Sequence, residues 1–228
     1  MKCLERLWDL IFPKKCIHCG RNGSYLCEDC LFLIEINPFE YCLCDKIEKR
    51  SRCENCKDKK LDKILSTTNY NQKIIQQAIH KFKYSYIKEL SLQFSFLMLR
   101  HLELTNNIPD KDFLIIPVPL SPSKKRRRGF NQSEEMARII STAMGIEMDD
   151  YSLKKMKNNL PQAGLGKEER TDNIKGCYQV GEKNSIKDKK IILIDDVYTT
   201  GATMEECAKA LKESGAKEVW GLTIAREL

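Results

Sequence analysis

The chain has 228 residues, of which 42% are hydrophobic and 31% charged, and its net charge is +7. This suits one ordinary core with a small extra module, and no apolar run approaches the ~20 residues needed to cross a bilayer, so a membrane span is excluded. The mild positive excess suits anionic ligands such as phosphates, although a solvated surface gives the same charge.

Near Met1, Glu5, Arg6 and Asp9 interrupt the apolar stretch an export signal would need, so the expected location is cytoplasmic. Leu4, Leu7, Trp8 and Ile11 then follow helical spacing up to Pro13. They predict a short amphipathic helix over 2–12 that docks on the chain's own next module.

Of the eleven cysteines, all but Cys177 and Cys207 lie at or before Cys56. In a reducing cytosol such clustering points to metal rather than disulfides. The pairs are Cys16-x2-Cys19, Cys27-x2-Cys30, Cys42-x-Cys44 and Cys53-x2-Cys56. Two residues between cysteines let a tight turn aim both sulfurs at one zinc, and two such knuckles complete a tetrahedron. The simplest arrangement puts Cys16, Cys19, Cys27 and Cys30 on one ion and Cys42, Cys44, Cys53 and Cys56 on a second. Spacing alone leaves a crossed arrangement open, and the one-residue gap at Cys42 makes the second site the weaker of the two. A structural role for the zinc is expected, because catalytic zinc keeps an open position. His18 lies inside a knuckle and reads as a bystander.

From Leu61 onward strand and helix signals alternate. Strands are expected at 64–70, 113–118, 177–180, 190–194 and 218–224. Helices are expected at 72–82, 87–104, 134–144 and 203–213, with Gly145 and Gly215 closing the last two. Strands separated by helices imply an α/β fold with a mostly parallel sheet covered on both faces. Lys124 to Arg128 form a basic run that serves equally well as a solvated face or an anion contact. Lys81 and Lys83, flanking Phe82, could line a nucleic-acid path, but burial of Phe82 in the core is the simpler expectation.

The stretch IILIDDVYTTGAT, residues 191–203, reads as a buried strand followed by a loop that opens a helix. Ligands of open α/β sheets bind at such a junction. Thr199, Thr200, Gly201 and Thr203 offer hydroxyls and converging N–H groups, and the helix N-terminus adds positive potential for a phosphate. Asp195 and Asp196 would repel a bare phosphate. A sugar phosphate removes the conflict, since ribose hydroxyls donate to carboxylates and a pyrophosphate-bound Mg2+ accepts oxygen ligands. The bland alternative is a capped strand–helix junction with surface acids.

The stretch resembles the phosphoribosyl pyrophosphate (PRPP) motif of type I phosphoribosyltransferases. IPVPLSPSKKRRRGFNQSEEMA at 116–137, QAGLGKEERTDNIKG at 162–176 and the upstream cysteines resemble the ComF/GntX family of competence-associated proteins. That family usually has a two-residue gap where this chain has Cys42-x-Cys44. The resemblance implies a type I phosphoribosyltransferase fold over 61–228, preceded by the helix and double zinc ribbon over 1–60. It implies that Asp195 and Asp196 bind the ribose diol and Mg2+, while Tyr198, Thr199, Thr200, Gly201, Ala202 and Thr203 wrap the 5′-phosphate. Arg128 and Gly129 resemble a pyrophosphate loop, and 162–170 a flap over the site, with Lys167 and Arg170 as anion contacts. The implied role is handling of single-stranded DNA in natural transformation. The alternatives are active transfer of phosphoribose to an unidentified, nucleobase-like acceptor, or a zinc-ribbon scaffold that docks a competence helicase or DNA-processing protein. Residues 61–110, where such enzymes read the base, carry no base-specific pattern.

Overall fold

The apolar run Ile191 to Ile194 is buried on both faces, as a central parallel strand requires. The computed structural model describes residues 13–44, 53–156, 174–181 and 185–227. The helix expected at 2–12 and the flap at 162–170, with Lys167 and Arg170, lie outside the described residues.

The main sheet has five strands: β1 (Lys63–Asn69), β2 (Phe113–Pro117), β3 (Glu147–Met148), β6 (Lys190–Tyr198) and β7 (Glu218–Arg226). Their order is β1-β7-β6-β2-β3 and every pairing is parallel. A separate antiparallel pair joins β4 (Leu153–Lys155) to β5 (Tyr178–Val180).

Side chains of β6 alternate between two cores, as the pleat dictates. Ile192 and Ile194 join one core with Phe82 of α2 (Lys73–Tyr84), Phe94 of α3 (Leu90–Leu104) and Met136 of α5 (Gln132–Met144). Ile191 and Leu193 join the other, with Met204 and Leu211 of α6 (Ala202–Glu213) and Tyr178 of β5. The cysteines divide in the same way. Cys16, Cys27 and Cys30, the last on the short helix α1 (Glu28–Phe32), belong to the first core, and Cys42 and Cys56 to the second. Between them, antiparallel bridges Ile36–Thr68 and Tyr41–Ile64 run the chain along the edge of β1.

Besides the short elements α1, β3 and β4, which the sequence does not predict, two elements differ from the sequence-based expectation. Strand β6 continues past Ile194 to Tyr198, because β7 stays in register opposite it through Asp195–Thr223 and Tyr198–Arg226. Both acids therefore sit in a strand, not in the loop after it. The basic run forms a short helix, α4 (Pro122–Arg128), capped by the Ser121 side chain and stopped by left-handed Gly129. Gly129 has φ 73°, and a Cβ there would also crowd the Tyr86 ring at 3.1 Å, so glycine is favoured on both counts. A helix this short, without an apolar stripe, gives no periodic signal.

Candidate functional site

A cleft lies at the C-terminal ends of β2 and β6, the usual ligand position in an open parallel sheet. Its floor carries Asp195 and Asp196, and one wall is the loop Thr199, Thr200 and Gly201 with Ala202 and Thr203 at the start of α6. Arg128 also lines the cleft. The cleft therefore gathers Arg128, both acids and the whole 198–203 segment. Gly129 instead ends α4 next to the cleft, and Tyr198 turns its hydroxyl away to the Leu43 carbonyl at 3.1 Å.

Lys83, Lys124, Lys155 and Tyr178 also line the cleft. Among the described residues, four cations, Lys83, Lys124, Arg128 and Lys155, thus line the cleft with the two carboxylates and offset their charge. Lys83 Nζ lies 2.9 Å from Asp196 Oδ1. Asp195 Oδ1 accepts from the Ser133 hydroxyl at 3.0 Å and from the Asp196 N–H at 2.9 Å. Lys155 Nζ donates to the Tyr178 hydroxyl at 3.0 Å. Arg128 donates from Nη1 to Gln132 at 3.1 Å, while its buried Nε has no hydrogen-bond partner among the described residues. A guanidinium with a spare buried donor suits an incoming oxyanion.

Sequence reasoning missed Ser133, Lys155 and Tyr178. A strand as short as β4 shows no alternation, Tyr178 falls in the strand expected at 177–180 but carries no site signal there, and Ser133 reads only as the residue before a helix. Lys83 had a signal, a cation at the end of an amphipathic helix, but its target Asp196 lies in the last third of the chain.

The charges perturb one another. Burial and the neighbouring Asp196 charge push the Asp195 carboxyl up to about 7. Burial, with Lys155, Arg128, Arg127 and Lys83 close by, pulls the Lys124 ammonium down to about 8. A ligand that needs an ionised Asp195 and a protonated Lys124 binds best between those values. Affinity for such a ligand, with Mg2+–PRPP as the probe, should therefore rise as pH climbs towards 7 and fall above 8. Calorimetry across pH 5.5–9.5 checks this, and a flat profile would detach both groups from binding.

The cysteines form two sets of four, Cys16, Cys19, Cys27, Cys30 and Cys42, Cys44, Cys53, Cys56, with sulfurs within 4.8 Å of one another in each set. The pairing is sequential, not crossed. Cys19–Cys27 and Cys44–Cys53 are 3.6 Å apart, Cys42–Cys56 and Cys53–Cys56 3.7 Å. A tetrahedron of ~2.3 Å zinc–sulfur bonds has edges of about 3.8 Å, so both sets have room for that ion and are far too open for disulfides. The one-residue gap does not spoil the second set. Burial opposes ionisation of Cys16 and Cys42, but backbone N–H groups outweigh it, bringing Cys16 to about 6 and Cys42, with help from its neighbouring thiols, to about 7. Burial pushes Cys56 up to about 12. Each set thus offers thiolate character to a cation.

A parallel sheet with paired acids and the 199–203 loop at its C-terminal edge has the layout of a phosphoribosyltransferase-type domain. Residues 87–226 match the family model described as phosphoribosyl transferase domain. The chain is 29% identical over 229 residues to competence protein F of Haemophilus influenzae, covering 94% of this chain and 98% of that one. It is 28% identical over 236 residues to competence protein ComFC of Streptococcus pneumoniae, covering 93% and 100%. Against ComFC of Bacillus subtilis it is 37% identical over 119 residues, 52% of this chain and 46% of that one. The chain belongs to the phosphoribosyl transferase domain family, on its ComF-type branch. Among the described residues, no helix is long and apolar enough to cross a membrane.

Proposed function

We propose that this protein binds Mg2+–PRPP in the cleft and handles single-stranded DNA in the cytoplasm during DNA uptake. Its zinc-bound module over 1–60 is fused to a PRPP-binding domain over 61–228. The observation that carries the reading is the placement of Asp195 and Asp196 between the helix-capped 199–203 loop and four cations. A ribose diol and a Mg2+ ion need the carboxylates, a 5′-phosphate needs the loop, and a pyrophosphate needs the cations. PRPP carries all of these groups on one sugar. When bound, the metal would neutralise pyrophosphate charge. The chain's own part is to orient the sugar and hold both ends of it. Relatives over the full length are named competence proteins, which supports the DNA-uptake role.

Calorimetry with PRPP in the presence and absence of Mg2+ tests the binding reading. Absence of Mg2+-dependent heat at millimolar PRPP would end it. A pyrophosphate-release screen with nucleobase-like acceptors then separates a transferase from a protein that only binds PRPP. Half-buried Lys155 and buried Tyr178, which line the cleft from the β4–β5 pair, favour testing turnover, since they could shield an acceptor from water.

For DNA, the exposed face of α4 carries Lys125, Arg126 and Arg127, and Tyr84 and Tyr86 lie beside it with 54% and 62% of their surface exposed. Tyr86 donates to the Arg127 carbonyl at 2.7 Å and the Arg128 guanidinium lies 5.6 Å from the Tyr84 ring. Cations next to open aromatic faces suit single strands. Contact of Lys125, Arg126 and Arg127 with three phosphates gives a log–log salt slope of about −2.1. Arg126→Ala with Arg127→Ala should flatten it by ~1.4. An unchanged slope would take α4 off the DNA path.

A further inference from the structure

We infer that Tyr198 and Arg226 are positioning residues that hold the phosphate loop in shape by fastening it to the second cysteine cluster. This rests on the reading of 199–203 as the 5′-phosphate loop.

Arg226, near the end of β7, is only 1% exposed and is among the largest fully buried side chains. A guanidinium held that deep must place its donors on acceptors. Nη1 donates to the Cys42 carbonyl at 2.9 Å and Nη2 to the Cys44 carbonyl. The rings of Tyr41 and Tyr198 are each centred 5.0 Å from the guanidinium carbon. Tyr198, opposite Arg226 in the sheet register, donates its hydroxyl to the Leu43 carbonyl at 3.1 Å. Two side chains at neighbouring strand ends thus hold all three carbonyls of the Cys42–Leu43–Cys44 turn.

The same tyrosine ring supports the loop. Gly201 has φ 76°, and a Cβ there would overlap the Tyr198 hydroxyl and lie 2.6 Å from the ring carbon that bears it. The loop therefore drapes directly over the ring, and only glycine permits the approach. On the far side, Glu205 in the first turn of α6 accepts from the N–H of Lys60 at 2.6 Å and of Leu61 at 3.2 Å, just beyond Cys56. The loop is fastened before and after to backbone that adjoins the second cluster. The first cluster belongs to the opposite core.

Anion loops work only if several N–H groups converge to within a few tenths of an ångström. A metal in the second cluster would fix residues 42–44. Those residues fix Arg226 and Tyr198, and Tyr198 fixes Gly201. By linkage, a ligand in the loop should in turn retain that metal.

Hydrogen exchange of the amides at 199–204 decides the matter without any ligand. Tyr198→Phe keeps the ring under Gly201 but removes its own hydrogen bond to the Leu43 carbonyl, which Lys59 Nζ still holds at 2.8 Å, and should speed exchange of the loop amides by about tenfold, the worth of one hydrogen bond. Cys44→Ser should do at least as much and Cys19→Ser should not. If exchange in Tyr198→Phe matches wild type, or Cys19→Ser loosens the loop as much as Cys44→Ser, the inference is overturned. Should Cys44→Ser fail to fold, the Tyr198→Phe comparison still decides. In parallel, saturating Mg2+–PRPP should slow chelator extraction of one of two zinc ions several-fold in wild type. A wild type that does not bind Mg2+–PRPP sinks the reading of the cleft alone, and the exchange data still judge the fastening.

Discussion

Replacing Asp195 and Asp196 together by asparagine should weaken Mg2+–PRPP binding by about two to four powers of ten. Each charge-assisted hydrogen bond contributes roughly 1.5–3 kcal/mol, and every 1.4 kcal/mol is about tenfold in affinity. The fold should survive, because asparagine matches aspartate in shape and the Asp195 carboxylate is already costly to ionise where it stands. That cost carries its own signature. The folded Asp195 value of about 7 lies above its ordinary 3.8. The group therefore favours the folded state fully at low pH and loses that contribution as pH rises through 7. Above pH 8 the double variant should melt no lower than wild type. With the acids neutral, Lys83, Lys124, Arg128 and Lys155 are unopposed, so inorganic phosphate and ribose 5-phosphate should bind at least as well as before. Calorimetry with all three ligands reads every part of this. Undiminished Mg2+–PRPP binding by the double variant would make the acids merely repulsive and the ligand a simple phosphate.

Emptying either cysteine set should have an effect of similar size on stability. Two zinc ions per chain are expected by elemental analysis, and Cys16→Ser and Cys42→Ser should each lower that to about one. Spacing alone makes the second site the weaker, but its sulfur separations equal those of the first and Cys42 is wholly buried. Structural zinc contributes about 10–16 kcal/mol in small modules. Losing even a quarter of that, ~3 kcal/mol, lowers the melting midpoint of a chain this size by roughly 6–12 °C. A Cys42→Ser protein that keeps both metals would show that the fourth ligand of that set is not this thiol.

Much of this was legible in sequence where one short segment carries both the pattern and the chemistry. The buried run before Asp195, the glycine after it and the helix start all lie between Ile191 and Thr203, so strand, cradle and acids were read together. The cysteine spacing was legible for the same reason, since each knuckle is local. What was not legible depends on distant partners. The sheet register carries β6 through the acids, and nothing in 195–198 alone says so. Lys155 and Tyr178 reach the cleft only because β4 pairs with β5, a strand well separated from it in sequence. Arg226 reads in sequence as an ordinary strand end, and its role appears only when Cys42 and Cys44, from the opposite end of the chain, are brought against it.

The strand order has a consequence for how the chain matures. Strand β7 is the last of the strands in sequence, yet it lies between β1 and β6 and pairs Lys63 with Trp220. Until β7 emerges from the ribosome, β1 has no partner strand in the sheet, whereas each cysteine set closes within one short stretch, Cys16 to Cys30 or Cys42 to Cys56. Short loops close far sooner than long ones, and pairings this remote are slow. The nascent chain would then carry finished metal knuckles well before it has a sheet to rest them on. Zinc supply during synthesis, rather than after it, would set the yield of correctly assembled protein.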